Sequence, residues 1–303
     1  MASKVEFSEL TSRFLPEPVA YAVVTPSGDG PFPLCLVLMG GGGSRQTLVD
    51  CQPLFDQWWS QQAIAPMVLA TPSAGMSYYL EDPEGGVRWE TLLIEEFIPH
   101  LRQTCHVHAG RDGTAITGIS MGGYGALKTA FAHPEEFAAV AAMNPMLEPG
   151  WHDADIRPRN RLHHSAGGPQ RFIGPSRDPN LFEANHPAHR ARNNARRITE
   201  SCLAIYIEVG DNDCVNAHDG TEFLHRVLWD LDISHEYRLI RGADHGGRTF
   251  RPRMLATCAW VSDALRPPVP EDSALEAVRE QLKPARAQAA AIDATALRRF
   301  GLV

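Results

Sequence analysis

The chain has 303 residues, 44% of them hydrophobic and 21% charged, with a formal net charge of −8 at pH 7. That length suits one large domain or two small ones, and the composition is ordinary for a globular protein. The acidic balance argues against a nucleic-acid partner. No apolar run approaches the ~20 residues of a membrane span, and Met1-Ala2-Ser3-Lys4-Val5-Glu6 lacks the apolar core of a secretory signal.

The first segments, residues 5–10 and 19–25, read as two short strands, with a turn at 26–30 behind them. Residues 34–39 are apolar throughout, as expected of a central strand covered on both faces. They run directly into Gly40-Gly41-Gly42-Gly43-Ser44. Four glycines here are either a flexible connection or a loop whose bare N–H groups approach a ligand closely. A phosphate loop is the competing idea, but no G-K-[ST] follows. A helix is predicted over 46–61, a strand over 66–71 and a loop over 73–87. Trp89, Leu93, Phe97, Leu101 and Cys105 recur every four residues and predict a long helix, which Pro99 should kink or whose regular part it should end.

Residues 114–117 are a short apolar and β-branched strand, and 124–132 an Ala- and Leu-rich helix. Between them stands Gly118-Ile119-Ser120-Met121-Gly122-Gly123, the G-x-S-x-G pattern of a nucleophile elbow. Such a turn crowds the backbone, so only residues without bulky side chains fit two residues before and two after the serine, and the hydroxyl stands above the sheet edge. Residues 138–142 form another strand, ending at Met143-Asn144-Pro145. Residues 146–200, rich in Pro, Gly, His and Arg, read as a cap-like excursion over the rim, with Trp151 as a candidate substrate contact. A strand over 203–209 ends at Gly210, and a helix covers 221–231. The last strand, 235–240, runs into Gly242-Ala243-Asp244-His245-Gly246-Gly247, and a helix covers 253–265. Pro267, Pro268 and Pro270 form a linker. A catalytic unit over 1–267 is thus followed by a helical tail over 268–303. In the tail, Leu275, Val278 and Leu282 make one apolar stripe. So short a helix must bury its stripe on the chain's own surface or on a second subunit, which makes a homo-oligomer one expected outcome.

Strands alternate with helices, so the expected fold is α/β with a mostly parallel sheet covered on both faces. Ligands then bind outside the carboxyl ends of the strands. The strand ends at Gly40, Ser120, Gly210 and Gly242 should meet at one rim. A serine hydroxyl at that rim requires a base, and His245, in a glycine-flanked loop, is the candidate. The base requires a carboxylate, for which Gly210-Asp211-Asn212-Asp213 offers two. Met121 N–H would supply one oxyanion donor and Gly41 the other, with Gly42 as its alternative and as a substrate contact. The six scattered cysteines hold no CxxC pair, which speaks against a zinc site. Cys35, Cys105, Cys202 and Cys258 fall in apolar segments and read as buried free thiols in a reducing cytoplasm.

With these residues in place the chain resembles the α/β-hydrolase fold, and within it the esterase D / putative esterase group. That group includes S-formylglutathione hydrolases, feruloyl esterases and the antigen 85 mycolyltransferases. The resemblance is carried by Gly118-Ile119-Ser120-Met121-Gly122-Gly123-Tyr124-Gly125-Ala126-Leu127, by His133-Pro134-Glu135-Glu136-Phe137, by Asn144-Pro145, and by Phe172-Ile173-Gly174-Pro175 through Asn185. It spans residues 5–265 and leaves the tail without a counterpart. It implies that the acid lies three residues after the strand-end glycine, which is Asp213. The formylglutathione hydrolases carry a cysteine in the oxyanion loop; here Gly42-Gly43-Ser44 stands instead, which argues against their substrate. The resemblance implies a serine carboxylesterase acting on a small-molecule ester or thioester, with no metal or organic cofactor. An acyltransferase and a non-catalytic ligand-binding protein of the same fold are the rival expectations.

Overall fold

A computed structural model describes residues 2–165 and 178–266, together with the isolated Pro284. The expectations for the tail, and part of the resemblance near Phe172, lie outside the described residues. The first 265 residues form one compact unit.

Its frame is an eight-stranded sheet. β1 (Lys4–Leu10) and β2 (Val19–Thr25) join antiparallel at one edge, and β2 also pairs antiparallel with β4 (Val68–Pro72). From β4 onward the strands run parallel: β3 (Leu34–Leu38), β7 (Thr114–Ile119), β8 (Ala139–Met143), β9 (Ala204–Gly210) and β10 (Glu236–Ile240). The order across the sheet is β1-β2-β4-β3-β7-β8-β9-β10. A short hairpin, β5 (Glu81–Asp82) with β6 (Val87–Arg88), lies within the segment expected to be a loop.

Alternation along the central strands separates two cores. Leu34, Leu36, Leu38, Ile116, Val140 and Ile207 belong to one cluster, which α5 (Met121–Ala132) completes with Tyr124, Leu127 and Phe131. Cys35, Leu69, Ala115, Ala141 and Tyr206 belong to the other. That second cluster also takes in Leu48 of α1 (Arg45–Asp50), Phe55 and Trp58 of α2 (Gln52–Ser60), and Val261 of α9 (Phe250–Ala264). Burial on both faces explains why these strands read as continuous apolar runs.

Two expected helices are interrupted, both beside a proline. The helix over 46–61 is two helices that meet at Cys51. Pro53 cannot donate to the carbonyl four residues back, so the ladder breaks there. The helix over 89–105 is α3 (Trp89–Leu92), a π turn (Leu93–Phe97) and α4 (Ile98–Thr104). The π turn loosens the ladder where Pro99 withholds its N–H.

The described residues at 179–200 are more regular than the composition of the 146–200 segment suggests. After α6 (Pro179–Asn185), α7 (Pro187–Glu200) is a 14-residue helix that packs on α5. Pro187 opens it and the His186 ring accepts from Ala188 N–H. α7 therefore belongs to the helical layer of the fold. A buried charge cluster ties it down: Glu90 meets Lys128 at 2.9 Å, His133 at 3.3 Å and Arg190 of α7 at 3.4 Å. Burial alone would push the Glu90 carboxyl up, and it also pulls the Lys128 ammonium down. For Glu90 the neighbouring cations win and hold the carboxyl at about 2.

A carboxylate lowered from 4.5 to about 2 contributes stability above its unfolded value and loses it as pH falls toward 2. The full contribution is about 3 kcal/mol. Urea unfolding followed from pH 7 down to pH 3 should therefore show a stability loss that Glu90→Gln lacks. The variant should start less stable at pH 7, because it leaves Lys128 buried without its counter-charge.

All six cysteines are free thiols. Cys35 is buried, but Cys105 and Cys258 are half-buried and Cys202 is exposed, against the expectation for all three. Cys202 sits at φ 53° in the turn between α7 and β9, outside the strand that its apolar neighbours form.

Candidate active site

The sheet register brings the carboxyl ends of the central strands to one rim. Leu38 pairs with Gly118, Ile119 with Met143, Met143 with Glu208, and Gly210 with Ile240. Ser120 stands at the middle of that rim with φ 56° and ψ −121°. A non-glycine residue in that region carries ~1–3 kcal/mol of strain, and its neighbours hold it there. Ser120 N–H donates to Met143 O at 3.0 Å, and Ser120 O accepts from Tyr124 N–H at 3.0 Å and Met146 N–H at 3.1 Å.

The flanking glycines are required by space. A Cβ on Gly122 would fall on the carbonyl of Leu38, and one on Gly118 on the carbonyl of Gly122. Both obstacles are backbone and cannot rotate away. Gly122→Ala should therefore reach or exceed the upper end of the ~1–3 kcal/mol typical of overpacking. A urea midpoint equal to that of the unaltered protein would contradict this crowding.

The structure brings Ser120, His245 and Asp213 into one hydrogen-bonded chain. His245 Nε2 lies 2.9 Å from Ser120 Oγ, and His245 Nδ1 lies 2.7 Å from Asp213 Oδ2. A carboxylate carries no proton to give, so Nδ1–H is the donor to Asp213, and Nε2 is left to accept from the serine hydroxyl. Asp213 is 3% exposed. Its Oδ1 accepts from Val215 N–H at 3.0 Å and from Ala217 N–H at 3.1 Å, at the start of α8 (Ala217–Asp230). Asp211 does something else. It is exposed, accepts from Gly242 N–H at 2.6 Å and closes the turn after β10.

The glycine loop is fixed. Gly43 N–H donates to Gly40 O at 2.9 Å, Gly42 N–H to Gly75 O at 3.3 Å, and Ser44 caps α1 in a capping box with Thr47. A Cβ on Gly40 would lie 3.3 Å from Ser120 Cβ, so the loop passes directly beside the serine. With Gly42 N–H engaged, Gly41 N–H and Met121 N–H are the two candidate oxyanion donors without a partner among the described residues. Met121 N–H also opens α5, where the helix end favours negative charge. Tyr79 is fully buried and donates its hydroxyl to Met39 O at 3.2 Å, which steadies the strand end before this loop.

Trp151, the candidate substrate contact, is packed among neighbouring side chains. Tyr78, Tyr79 and Trp89 are buried. The Trp151 ring stands edge-on to His189 at 5.1 Å and to Phe223 at 5.4 Å, with the Arg192 guanidinium 4.3 Å over its face. These contacts tie α7 to α8 and give Trp151 a structural role. Arg159 pairs with Asp219 at 2.7 Å.

Sequence reading missed the supports behind His245. Asp244 accepts His245 N–H at 2.6 Å and Cys214 N–H at 2.8 Å, so one carboxylate joins the loop of the base to the loop of the acid. Those two N–H groups, His245 first, hold its carboxyl below the usual range. Asn144, at φ 44°, donates to His245 O at 2.9 Å. Glu208 and Arg253 lie buried beneath. The available signal was Glu208, a charge inside an apolar strand, which demands a partner.

Among the described residues, no group of three or more His, Cys, Asp or Glu could hold a metal ion, and no helix is long and apolar enough to cross a membrane.

Serine elbow, parallel sheet and helical layers together define an α/β-hydrolase. Residues 37–260 match the family described as Putative esterase, and the chain belongs to it. Over 113 residues it is 31% identical to Esterase Rv1288 of Mycobacterium tuberculosis (strain ATCC 25618 / H37Rv), a match covering 35% of this chain and 24% of that protein. Over 106 residues it is 31% identical to the diacylglycerol acyltransferase/mycolyltransferase Ag85A of the same strain, covering 32% and 30%. The matches thus span between a quarter and a third of these curated relatives. A solved ferulic acid esterase superposes with a TM-score of 0.70 at 20% identity, over 88% of this chain and 99% of that one, and shares the fold.

Proposed function

We propose that this protein is a serine carboxylesterase acting through an acyl-serine intermediate. The observation that carries the reading is the unbroken chain from Asp213 through His245 to Ser120, set at the elbow of a member of an esterase family. Ser120 Oγ attacks the ester carbonyl carbon while its proton passes to His245 Nε2. The charge that develops on the carbonyl oxygen is met by Met121 N–H and Gly41 N–H. Collapse expels the alcohol, which takes the proton back from His245. Water then attacks the acyl-serine, gives its proton to His245, and the acid leaves with Ser120 restored. Asp213 holds the tautomer throughout and stabilises the imidazolium. The substrate is a small-molecule ester or thioester, and no step uses a metal or organic cofactor. The six free thiols support a reducing cytoplasm as the setting, and the tail 268–303 stands outside the chemistry.

A second reading is favoured by the Ag85A match: an acyltransferase, in which an alcohol replaces water in the second half-reaction. Turnover of a panel of p-nitrophenyl esters, aryl esters and glutathione thioesters, with products analysed in the presence and absence of alcohol acceptors, tests both. Free acid as the main product with acceptor present supports the esterase; a new ester as the main product supports the transferase. A folded protein that turns over no member of the panel and incorporates no fluorophosphonate contradicts both.

A further inference from the structure

The buried pair of Arg253 and Glu208 has no part in the steps above, although it lies beneath them. Arg253, in the first turn of α9, is 4% exposed and Glu208 in β9 is fully buried. The guanidinium faces the carboxylate side-on: Nε donates to Glu208 Oε2 at 2.8 Å and Nη2 to Oε1 at 2.9 Å. Its remaining donors point to the histidine loop. Nη1 donates to Asp244 O at 2.6 Å, and Nη2 also donates to Asn144 Oδ1. Asn144 Nδ2 in turn donates to His245 O at 2.9 Å.

We propose that Arg253, itself oriented by Glu208, is a positioning residue for His245, holding the backbone on both sides of the histidine Cα. The carbonyl before His245 is held by Arg253 and the carbonyl after it by Asn144. The N–H between them is held by Asp244. The Asp244 carbonyl and both polar backbone groups of His245 are thus tied to side chains.

Two physical arguments support this. The loop Gly242-Ala243-Asp244-His245-Gly246-Gly247 contains three glycines, with Gly242 at φ 72° and Gly247 at φ 76°. Such a backbone has many conformations to lose and does not fix its own course. The pair is also a poor way to hold a fold. Burial pushes the Glu208 carboxyl up in spite of the arginine beside it, and apolar residues of similar volume often serve stability as well as a buried ion pair. What apolar residues cannot supply is a planar fork that grips a carboxylate, a carbonyl and an amide at once. Precise placement of the base matters, since a shift of ~1 Å in a reacting group costs about 100-fold in rate.

The inference rests on the hydrolase reading of the previous section. The test compares the full chain with the double variant Arg253→Met/Glu208→Met, which leaves no lone charge buried, and with Arg253→Lys, which keeps the ion pair but loses the fork. Three readouts are taken: melting temperature, the split between kcat and KM on a p-nitrophenyl ester, and the rate of Ser120 phosphonylation by a fluorophosphonate. The double variant should melt within a few degrees of the unaltered protein and keep its KM. Its kcat and phosphonylation rate should fall together by about 30- to 100-fold, and Arg253→Lys should fall between the two. A folded double variant with both rates within twofold of the unaltered protein overturns the positioning role. Should the double variant fail to fold, Arg253→Lys decides alone: a reduced kcat at unchanged KM supports the role, and an unchanged kcat overturns it. An unaltered protein that fluorophosphonate does not label overturns the hydrolase reading first, before any variant is compared.

Discussion

Ser120→Ala is expected to abolish ester turnover while leaving the protein folded. In a well-studied serine protease, loss of the nucleophile alone costs about 2 × 10⁶ in kcat, and an effect of that order is expected here. The hydroxyl's hydrogen-bond partner is His245 Nε2, so its loss removes one half-exposed hydrogen bond worth ~1 kcal/mol. The backbone bonds that hold the elbow belong to Ser120 N–H and Ser120 O, and alanine keeps both. The φ of 56° is equally unfavourable for serine and alanine, so no new strain enters. Activity and stability should therefore separate cleanly: turnover and fluorophosphonate labelling vanish, and the urea midpoint stays close to its starting value. Persistent turnover by a clean Ser120→Ala preparation would place the nucleophile elsewhere and sink the reading.

The separation matters because the sequence made some parts of this site legible and hid others. The elbow could be read directly, since Gly118 and Gly122 are dictated by backbone contacts that no other residue satisfies. The central strands could be read because burial on both faces leaves continuous apolar runs. His245 could be read from its place after the last strand. The fault near Pro99 was announced by the proline itself, whereas the break at Cys51 was hidden because periodicity still runs through Pro53. The regular helix at Pro187–Glu200 was hidden by its composition: Ile198 is its one large buried aliphatic residue, Ala188 and Ala191 bury little side chain, and Arg190 adds a contact to the Glu90 cluster. In a charge pair formed across 45 residues, such as Arg253 with Glu208, the lone charge in an apolar strand signals that a partner is needed, but nothing local says which residue it is. Residue chemistry alone leaves Asp211 and Asp213 alike; the family resemblance pointed to Asp213, and what each carboxylate faces shows how their contacts differ.

Those different roles set the second large expected effect. Asp213→Asn should lower kcat by about 10⁴, the cost of the equivalent change in a well-studied serine protease, whereas Asp211→Asn should stay within a few-fold of the unaltered enzyme. The reason lies in how Asp213 is pinned. Its Oδ1 accepts two backbone N–H groups, from Val215 and Ala217, while Oδ2 accepts from His245 Nδ1. An asparagine that keeps its oxygen toward the two N–H donors must turn its NH2 to His245. The imidazole then has to accept at Nδ1 and carry its proton on Nε2, where it cannot receive the proton of Ser120. An asparagine turned the other way restores the tautomer but sets two donors against its own NH2, at a cost of ~1–3 kcal/mol for each unsatisfied N–H. Neither orientation stabilises the imidazolium as a carboxylate does. Asp211 makes a simpler contact, one bond from Gly242 N–H at 2.6 Å in an exposed turn, and an amide oxygen can replace that acceptor. Steady-state kinetics of the two variants on one p-nitrophenyl ester, with circular dichroism to confirm folding, separates them. Comparable losses at both positions would mean that the turn closed by Asp211 carries the geometry of the base, and a greater loss at Asp211 would remove Asp213 from the triad.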